Sequence, residues 1–322
     1  METFSHTSVL LEETLALLNL RPGAVVLDGT IGGAGHARQM LELTAPDGLL
    51  IGLDRDAEAI AEARRVLAPY GERARIIQAN FSEAPIVLQR EGVAALDAML
   101  LDLGVSSWQL DSAERGFSFR FNAPLDMRMN RLQGRTAAEV VNEESSESLT
   151  HIFKTYGEER WARKIARKIE QVRQHKPIAT TQELAELVQE AVPGGFVPAR
   201  IHPATRVFQA LRIFVNDELS HVERGVEQGI HLLKPGGVLA VISFHSLEDR
   251  IVKNLFRQAA DPCDCPPRMP VCTCGKQPLV QILTRRGVRA GEREVQQNSR
   301  ARSAVLRAVR RLPLPDGEND HA

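Results

Sequence analysis

The sequence predicts an α/β protein, a doubly wound and mostly parallel sheet interrupted by an inserted all-helical domain. Three observations predict it. Apolar runs at 24–28 (AVVLD), 49–54 (LLIGLD), 75–79 (RIIQA) and 96–103 (LDAMLLDL) alternate with helical patterns such as 56–67 and 81–91. Short β-rich runs alternating with helices read as βαβ units. The runs are apolar almost throughout, which fits strands buried on both faces. From 136 to 203 the pattern is helix after helix without a strand, and the α/β rhythm then resumes.

The elements follow in order. Residues 104–135 are rich in Gly, Ser, Arg and Phe and read as loop. Within the helical stretch, Trp161, Ile165, Ile169 and Val172 share one stripe, with Arg163, Lys164, Arg167 and Lys168 on the other side. Thr180-Thr181-Gln182-Glu183 is a capping box that opens another helix. A long helical stretch over 203–233 leads to the turn Lys234-Pro235-Gly236-Gly237 and a strand at 238–243. Ser246-Leu247-Glu248-Asp249 reads as a second capping box, so a helix follows at once. Two β-like runs at 279–283 and 303–309 complete the sheet, and the polar stretch 313–322 has the composition of unstructured chain. This order implies a discontinuous α/β domain, 1–135 and 204–322, around a helical domain, 136–203.

The 322 residues carry a formal net charge of −1, which argues neither for nor against a nucleic acid partner. The distribution says more. Residues 154–176 hold eight Lys or Arg against three acids, and residues 285–311 hold nine arginines against two acids. Such patches suit a polyanion, or a plain solvated helix face. The N-terminal stretch lacks a basic region, and the longest apolar run, 238–244, is too short to span a membrane. The expected location is the cytoplasm, with no membrane contact. All four cysteines fall between Cys263 and Cys274, so the chain is no secreted disulfide scaffold. Cys263, Cys265, Cys272 and Cys274 could form a Cys₄ zinc site, although C-x-C is not the commoner C-x₂-C spacing; reduced thiols, and after them disulfides, are the alternatives.

Residues 27–36 read LDGTIGGAGH, with Gly29, Gly32, Gly33 and Gly35 directly after the first strand. Glycine this dense lets a backbone turn tightly beside a ligand. After Gly33-Ala34-Gly35 the third glycine of a dinucleotide fingerprint is missing, and no Gly-Lys-Ser/Thr follows to make a P-loop. The remaining common nucleotide-like ligand of such sheets is S-adenosylmethionine. The second strand ends on Asp54, placed to accept ribose hydroxyls or to cap the next helix. Beyond the third strand, Phe81 offers a ring for the adenine or plain core packing. Asp102 ends a strongly apolar strand, where a carboxylate needs a reason. All these ends lie at one sheet edge, where open α/β sheets bind ligands.

Nine stretches in order carry a resemblance: HTSVLLEE (6–13), DGTIGGAGH (28–36), LDLGVSSWQLD (101–111), ERGFSF (114–119), LDMRM (125–129), YGEER (156–160), HPATRVFQALRIFVN (202–216), ISFHSLEDR (242–250) and RARSAVLR (300–307). With them the chain resembles the bacterial 16S ribosomal RNA (cytosine-N4)-methyltransferase family, called RsmH or MraW. The resemblance implies a class I S-adenosylmethionine-dependent methyltransferase fold with a helical insertion. It implies methylation of the N4 amine of one cytidine in the decoding region of 16S ribosomal RNA, within the small ribosomal subunit. By the same resemblance, cofactor positions fall on Ala34, Gly35, His36, Asp54, Phe81, Asp102 and Gln109, with Gly33 in the same glycine turn. Two positions depart from the family pattern. Ala34 stands where glycine is usual, and its methyl is expected to require a negative φ. Trp108 replaces a proline in the loop that carries Gln109.

Cytosine N4 shares its lone pair with the ring and is a poor nucleophile, so the enzyme must align nitrogen, methyl carbon and sulfur and accept the amine protons. Asp102, or a backbone carbonyl near Leu103, is the candidate acceptor, and His245 after the fifth strand is a second catalytic candidate. The cytidine must leave its stack. Trp108, Phe117, Phe119 and Phe121, with Arg115, Arg120 and Arg128, interleave aromatic rings and cations in one loop, a pattern that suits an unstacked base and its phosphates. Arg163 and Lys164 are the candidate contacts on the helical domain. Three other readings share the sheet: an NAD-dependent oxidoreductase, opposed by the missing glycine; a non-catalytic RNA-binding assembly protein, opposed by the joint presence of Asp54 and Asp102; and an S-adenosylmethionine-dependent methyltransferase acting on DNA, protein or a small molecule, against which the basic patches and the large insertion favour a big polyanion. Monomer and homodimer both remain open.

Overall fold

A computed structural model describes residues 8–194, 202–266, 271 and 273–313. The chain opens with α1 (Leu11–Leu18), β1 (Val25–Asp28), α2 (Gly35–Leu43), β2 (Leu49–Asp54), α3 (Ala57–Leu67), β3 (Ala74–Gln78), α4 (Ala84–Arg90) and β4 (Leu96–Asp102). It continues through α5 (Ser107–Asp111), α6 (Ala137–Glu143), α7 (Ser146–Gly157), α8 (Ala162–Arg173), α9 (Thr181–Ala191), α10 (Ala204–Val215) and α11 (Glu218–Leu232). Then come β5 (Leu233–Ser243), α12 (Ser246–Ala260), β6 (Val280–Ile282), α13 (Glu292–Gln297) and β7 (Val305–Arg311).

The seven strands form one sheet in the order β3-β2-β1-β4-β5-β7-β6. β1 to β5 are parallel, while β7 runs antiparallel to both β5 and β6. Strand order turns back on either side of β1 and β4, the switch point at which open α/β sheets leave a crevice. Two apolar layers cover the faces. One gathers Val26, Leu50 and Leu100 with α1, α2 and α3 residues such as Leu41 and Ile60; the other gathers Leu27, Ile51 and Leu101 with Leu88, Val226 and Phe256. Successive strand residues therefore point to opposite buried faces, which is why the sequence runs read as continuously apolar. This is the class I methyltransferase sheet.

β5 differs from its expected form. The strand starts at Leu233, but Leu96 pairs with Leu233 while Ala98 pairs with Val238, so the expected turn Lys234–Gly237 bulges out of a continuous strand. The long helical stretch also divides, since α10 and α11 are separated at Asn216 and Asp217, and Asp217 takes a φ of 47°.

Two compact units divide the chain, Met1–Gly104 with Leu219–Ala322, and Val105–Glu218. The second extends beyond the expected 136–203 on both sides. The reason is packing: Phe117, Leu125, Met127 and Met129, from the stretch that reads as loop, are buried in the same core as Phe153, Ile165, Leu184 and Leu211. Asn216 ties that stretch down, accepting from Met129 N–H at 2.8 Å and donating to the Met127 carbonyl at 2.8 Å. The α8 stripe is as expected, with Ile165 and Ile169 buried and Arg163 and Lys164 exposed. Thr180 and Glu183 form the expected capping box.

Candidate cofactor site

The C-terminal ends of β1, β2 and β4 each carry the same pair, Leu27-Asp28, Leu53-Asp54 and Leu101-Asp102. In each pair the leucine points into a core and the carboxylate stands at the sheet edge. The chain after β1 is held against its neighbours by main-chain hydrogen bonds: Gly29 N–H donates to the Leu100 carbonyl at 2.9 Å, and Ile31 N–H to the Leu53 carbonyl at 2.8 Å. Only glycine fits at position 29, where a Cβ would lie 2.5 Å from Leu101 Cδ2 and 2.9 Å from Phe81 Cβ. Thr30 Oγ1 accepts from Asp102 N–H at 2.6 Å, joining the ends of β1 and β4.

Asp54 is fixed from two sides. Its Oδ2 accepts from Gly32 N–H at 3.1 Å and its Oδ1 from Asp56 N–H at 2.9 Å. The cap of α3 is Asp56, whose carboxylate accepts from Glu58 N–H at 3.0 Å. Asp54 is therefore relieved of the capping role, and each of its oxygens keeps a lone pair for a ligand. Asp102 Oδ1 is buried and has no hydrogen-bond partner among the described residues. A buried acceptor left so costs about 1–3 kcal/mol unless a ligand satisfies it. Asp102 Oδ2 stands 3.8 Å from His36 Nδ1. His36 Nε2 lies 3.1 Å from the Val9 carbonyl, which can only accept, so Nε2 carries a proton and donates there.

Asp28, 2% exposed, is a member of this cluster that the sequence reading passed over. It accepts from Thr30 N–H at 3.1 Å. The signal was present in the repeated Leu–Asp strand endings. Burial pushes the Asp102 carboxyl up to about 8, and the nearby Asp28 charge adds to the rise. Burial raises Asp28 to about 7 against the pull of the Thr30 N–H, and Asp54 to about 6 against those of Asp56 and Gly32. Three carboxylates that resist ionisation around one edge form a site that favours a cation.

Ala34 overturns one expectation. Its φ is +63°, and it caps α2 in the left-handed conformation with its methyl fully buried. The strain of order 1 kcal/mol that this places on an L-residue is carried by the surrounding contacts. Gly33 lies half-buried in the same turn, and Gly35 opens α2. Phe81 is half-buried with its ring against α11, where a Cβ on Gly225 would come within 2.4 Å of it. Gln109 lies in the Val105–Glu218 unit and completes a capping box on α5, its Oε1 accepting from Ser106 N–H at 3.0 Å.

The other candidates separate by exposure. Trp108, Arg120, Phe121, Arg163 and Lys164 face solvent. Arg115 is buried and donates to the Arg128 and Met129 carbonyls, so it braces its loop. Phe117 sits in the helical core, and Phe119 packs edge-on against Phe208 at 5.0 Å. Arg128 is held by Asp126 through two hydrogen bonds of 2.7 and 3.0 Å. His245, not Ser246, caps α12: its Nδ1 accepts from Glu248 N–H at 3.4 Å, while Glu248 Oε2 accepts from His245 N–H at 3.3 Å. Asparagine at position 245 is expected to keep the cap and most of the activity, and alanine to cost about 1 kcal/mol in unfolding free energy. Loss of turnover in the asparagine variant at unchanged stability would mark His245 as catalytic.

No helix among the described residues is long and apolar enough to cross a membrane. A family model described as the MraW methylase family matches residues 3–312. A protein of Syntrophotalea carbinolica named ribosomal RNA small subunit methyltransferase H is 60% identical over 311 residues, 97% of this chain and 99% of that one. One of Geobacter sulfurreducens with the same name is 56% identical, over 96% of this chain and all of that one. With a buried carboxylate cluster at the switch point of its sheet and this likeness along almost its whole length, the chain belongs to the MraW methylase family.

Proposed function

We propose that the protein methylates the exocyclic N4 amine of a single cytidine in the decoding region of 16S ribosomal RNA, using S-adenosylmethionine, in the cytoplasm. The observation that carries this reading is the Asp28–Asp54–Asp102 edge beside the glycine turn, in a chain with full-length ribosomal RNA methyltransferase relatives. S-adenosylmethionine supplies a methyl group already activated on a cationic sulfur. Asp54 accepts the ribose hydroxyls, and the glycine turn admits the methionyl end. Asp102 offers its unpartnered Oδ1 as the acceptor for the cofactor or for the amine protons. Removing those protons as nitrogen takes the methyl avoids a buildup of positive charge. Exposed Trp108 and Phe121 are the rings for an unstacked base, and Arg120, Arg163 and Lys164 the cations for phosphate. The four-cysteine segment takes no part in this chemistry.

Methyl transfer from labelled S-adenosylmethionine to assembled small subunits, naked 16S RNA and duplex DNA tests the reading. Label is expected in a ribosomal acceptor and maps to N4 of one cytidine. Label confined to DNA, or to several cytidines, overturns it.

The raised carboxylates also set a pH dependence. Between about pH 6 and 8 the ligand-free site holds protons on Asp102 and Asp28. A sulfonium favours the ionised forms, so binding releases protons and tightens as pH rises, by up to about tenfold per pH unit for each proton released. S-adenosylhomocysteine has the same amino acid end without the sulfonium charge. The ratio of the two affinities by calorimetry is expected to move toward S-adenosylmethionine from pH 6 to pH 8; a flat ratio would remove the carboxylates from the cation's surroundings.

A further inference from the structure

Between α12 and β6 runs the stretch 261–279, whose described residues lie outside helix and strand. Its neck is closed by the Leu279 N–H, which donates to the Ala259 carbonyl at 2.8 Å. None of the described residues from 261 to 279 is buried, and Val271 is 72% exposed. The described residues of this stretch supply no buried apolar side chain to hold it. What its described residues do bring together is sulfur. The Sγ atoms of Cys263, Cys265 and Cys274 lie within 4.8 Å of one another, and those of Cys263 and Cys274 are 3.9 Å apart.

At that separation the two sulfurs share a thiol–thiol hydrogen bond and form no disulfide, and the same spacing fits two ligands of one metal ion. A disulfide needs about 2.05 Å between sulfurs. Two sulfurs bound at about 2.3 Å to one tetrahedral zinc stand about 3.8 Å apart. Thr273 N–H donates to Cys265 Sγ at 3.4 Å, the kind of backbone support that steadies a charged sulfur. Lys276 and Asp264, paired at 2.7 Å, bring a cation and a carboxylate to the cluster, and Asp264 shares a hydrogen bond with Cys274. Gly275 takes a φ of +68°, so the chain turns away immediately after Cys274.

We propose that Cys263, Cys265 and Cys274 bind a structural zinc ion that folds the excursion between α12 and β6. Each thiol yields its proton to water on ligation, so metal uptake releases acid and involves no change of oxidation state. Cys272, the fourth cysteine of the segment, lies outside the described residues. The ion has no role in methyl transfer, and the inference stands or falls independently of the substrate.

The test is metal analysis of tag-free full-length protein, purified from zinc-supplemented cells under reducing conditions and without chelator. One zinc per chain is expected. Cys263→Ser and Cys274→Ser are each expected to lower bound zinc at least tenfold while S-adenosylmethionine binding persists. Cobalt substituted for zinc is expected to give an intense thiolate-to-metal absorption, and stripping the metal to speed proteolysis within 261–279. Far less than one zinc after reconstitution overturns the proposal. So does zinc retained in both serine variants, or cobalt without the thiolate band, a measurement that needs no variant to fold. Thiols missing from a titration under denaturing, non-reducing conditions would assign the cluster to disulfides and also overturn it.

Discussion

Asparagine at position 102 is expected to slow methyl transfer about a hundredfold or more while leaving the ligand-free fold at least as stable as the wild type at pH 8. The two halves have one cause. The Asp102 carboxyl is raised to about 8 because the fold buries it near Asp28. A carboxylate with a raised folded-state pKa keeps a proton that the unfolded chain gives up above its ordinary 3.8, so its contribution to stability declines as pH rises from about 4 to 8. Asparagine has nearly the same shape and carries no charge, which removes that penalty. The reaction loses the acceptor. A positioned group that stabilises developing charge is worth a factor of about a hundred or more, and kcat/KM should fall by that much. Thermal melting without ligand, beside single-turnover methylation, measures both. Normal methylation with normal cofactor affinity in the variant would remove Asp102 from either role.

Alanine at Gly116 should cost the most stability of any single methyl added to the Val105–Glu218 unit. Gly116 has a φ of +71°, and a Cβ there would sit 2.4 Å from the Pro124 carbonyl oxygen and 2.7 Å from Asp126 N. Both obstacles are backbone, so no side chain can rotate away. The left-handed conformation costs about 1–2 kcal/mol, and displacing the 124–126 segment adds about 1–3 kcal/mol. That segment carries Leu125, buried in the helical core, and neighbours Met127, whose N–H donates to the Arg115 carbonyl at 3.0 Å. Denaturant unfolding should register a loss of about 3–5 kcal/mol; a loss below about 1 kcal/mol would mean that the turn is free to relax.

The strands and the glycine turn were legible because their determinants are local. An apolar run ending in aspartate, followed by glycines, carries its own reading, and six strands, all but β5, lie within a residue or two of where the runs place them. Asp28 was legible in the same way and was overlooked beside the glycines it introduces. The rest depends on partners distant in sequence. Nothing near Asn216 announces that its amide holds Met127 and Met129, so a broken helix pair reads as one long helix. The stretch 104–135 looks like loop because its buried residues, Phe117, Leu125, Met127 and Met129, have neither helical nor strand spacing. Arg115 resembles an RNA contact in sequence, and only the carbonyls of Arg128 and Met129 show where its guanidinium goes. His245 was passed over as a cap because serine is the commoner capping residue, and Ser246 follows it.

The place of β7 has a consequence for how the protein is made. β7 lies inside the sheet, between β5 and β6. Until residues 305–311 leave the ribosome, the 238–243 edge of β5 has no partner and β6 has nothing to join. The Val105–Glu218 unit, by contrast, is one uninterrupted segment that is complete almost a hundred residues earlier. At about 5–20 residues per second, that leaves an interval on the order of ten seconds in which the helices can pack while the sheet awaits its last internal strand. Chains stalled in that interval would expose an apolar strand edge, the feature that leads to pairing between molecules. For this fold, the late arrival of one strand makes the emergence of residues 305–311 the step at which the sheet gains its last internal member.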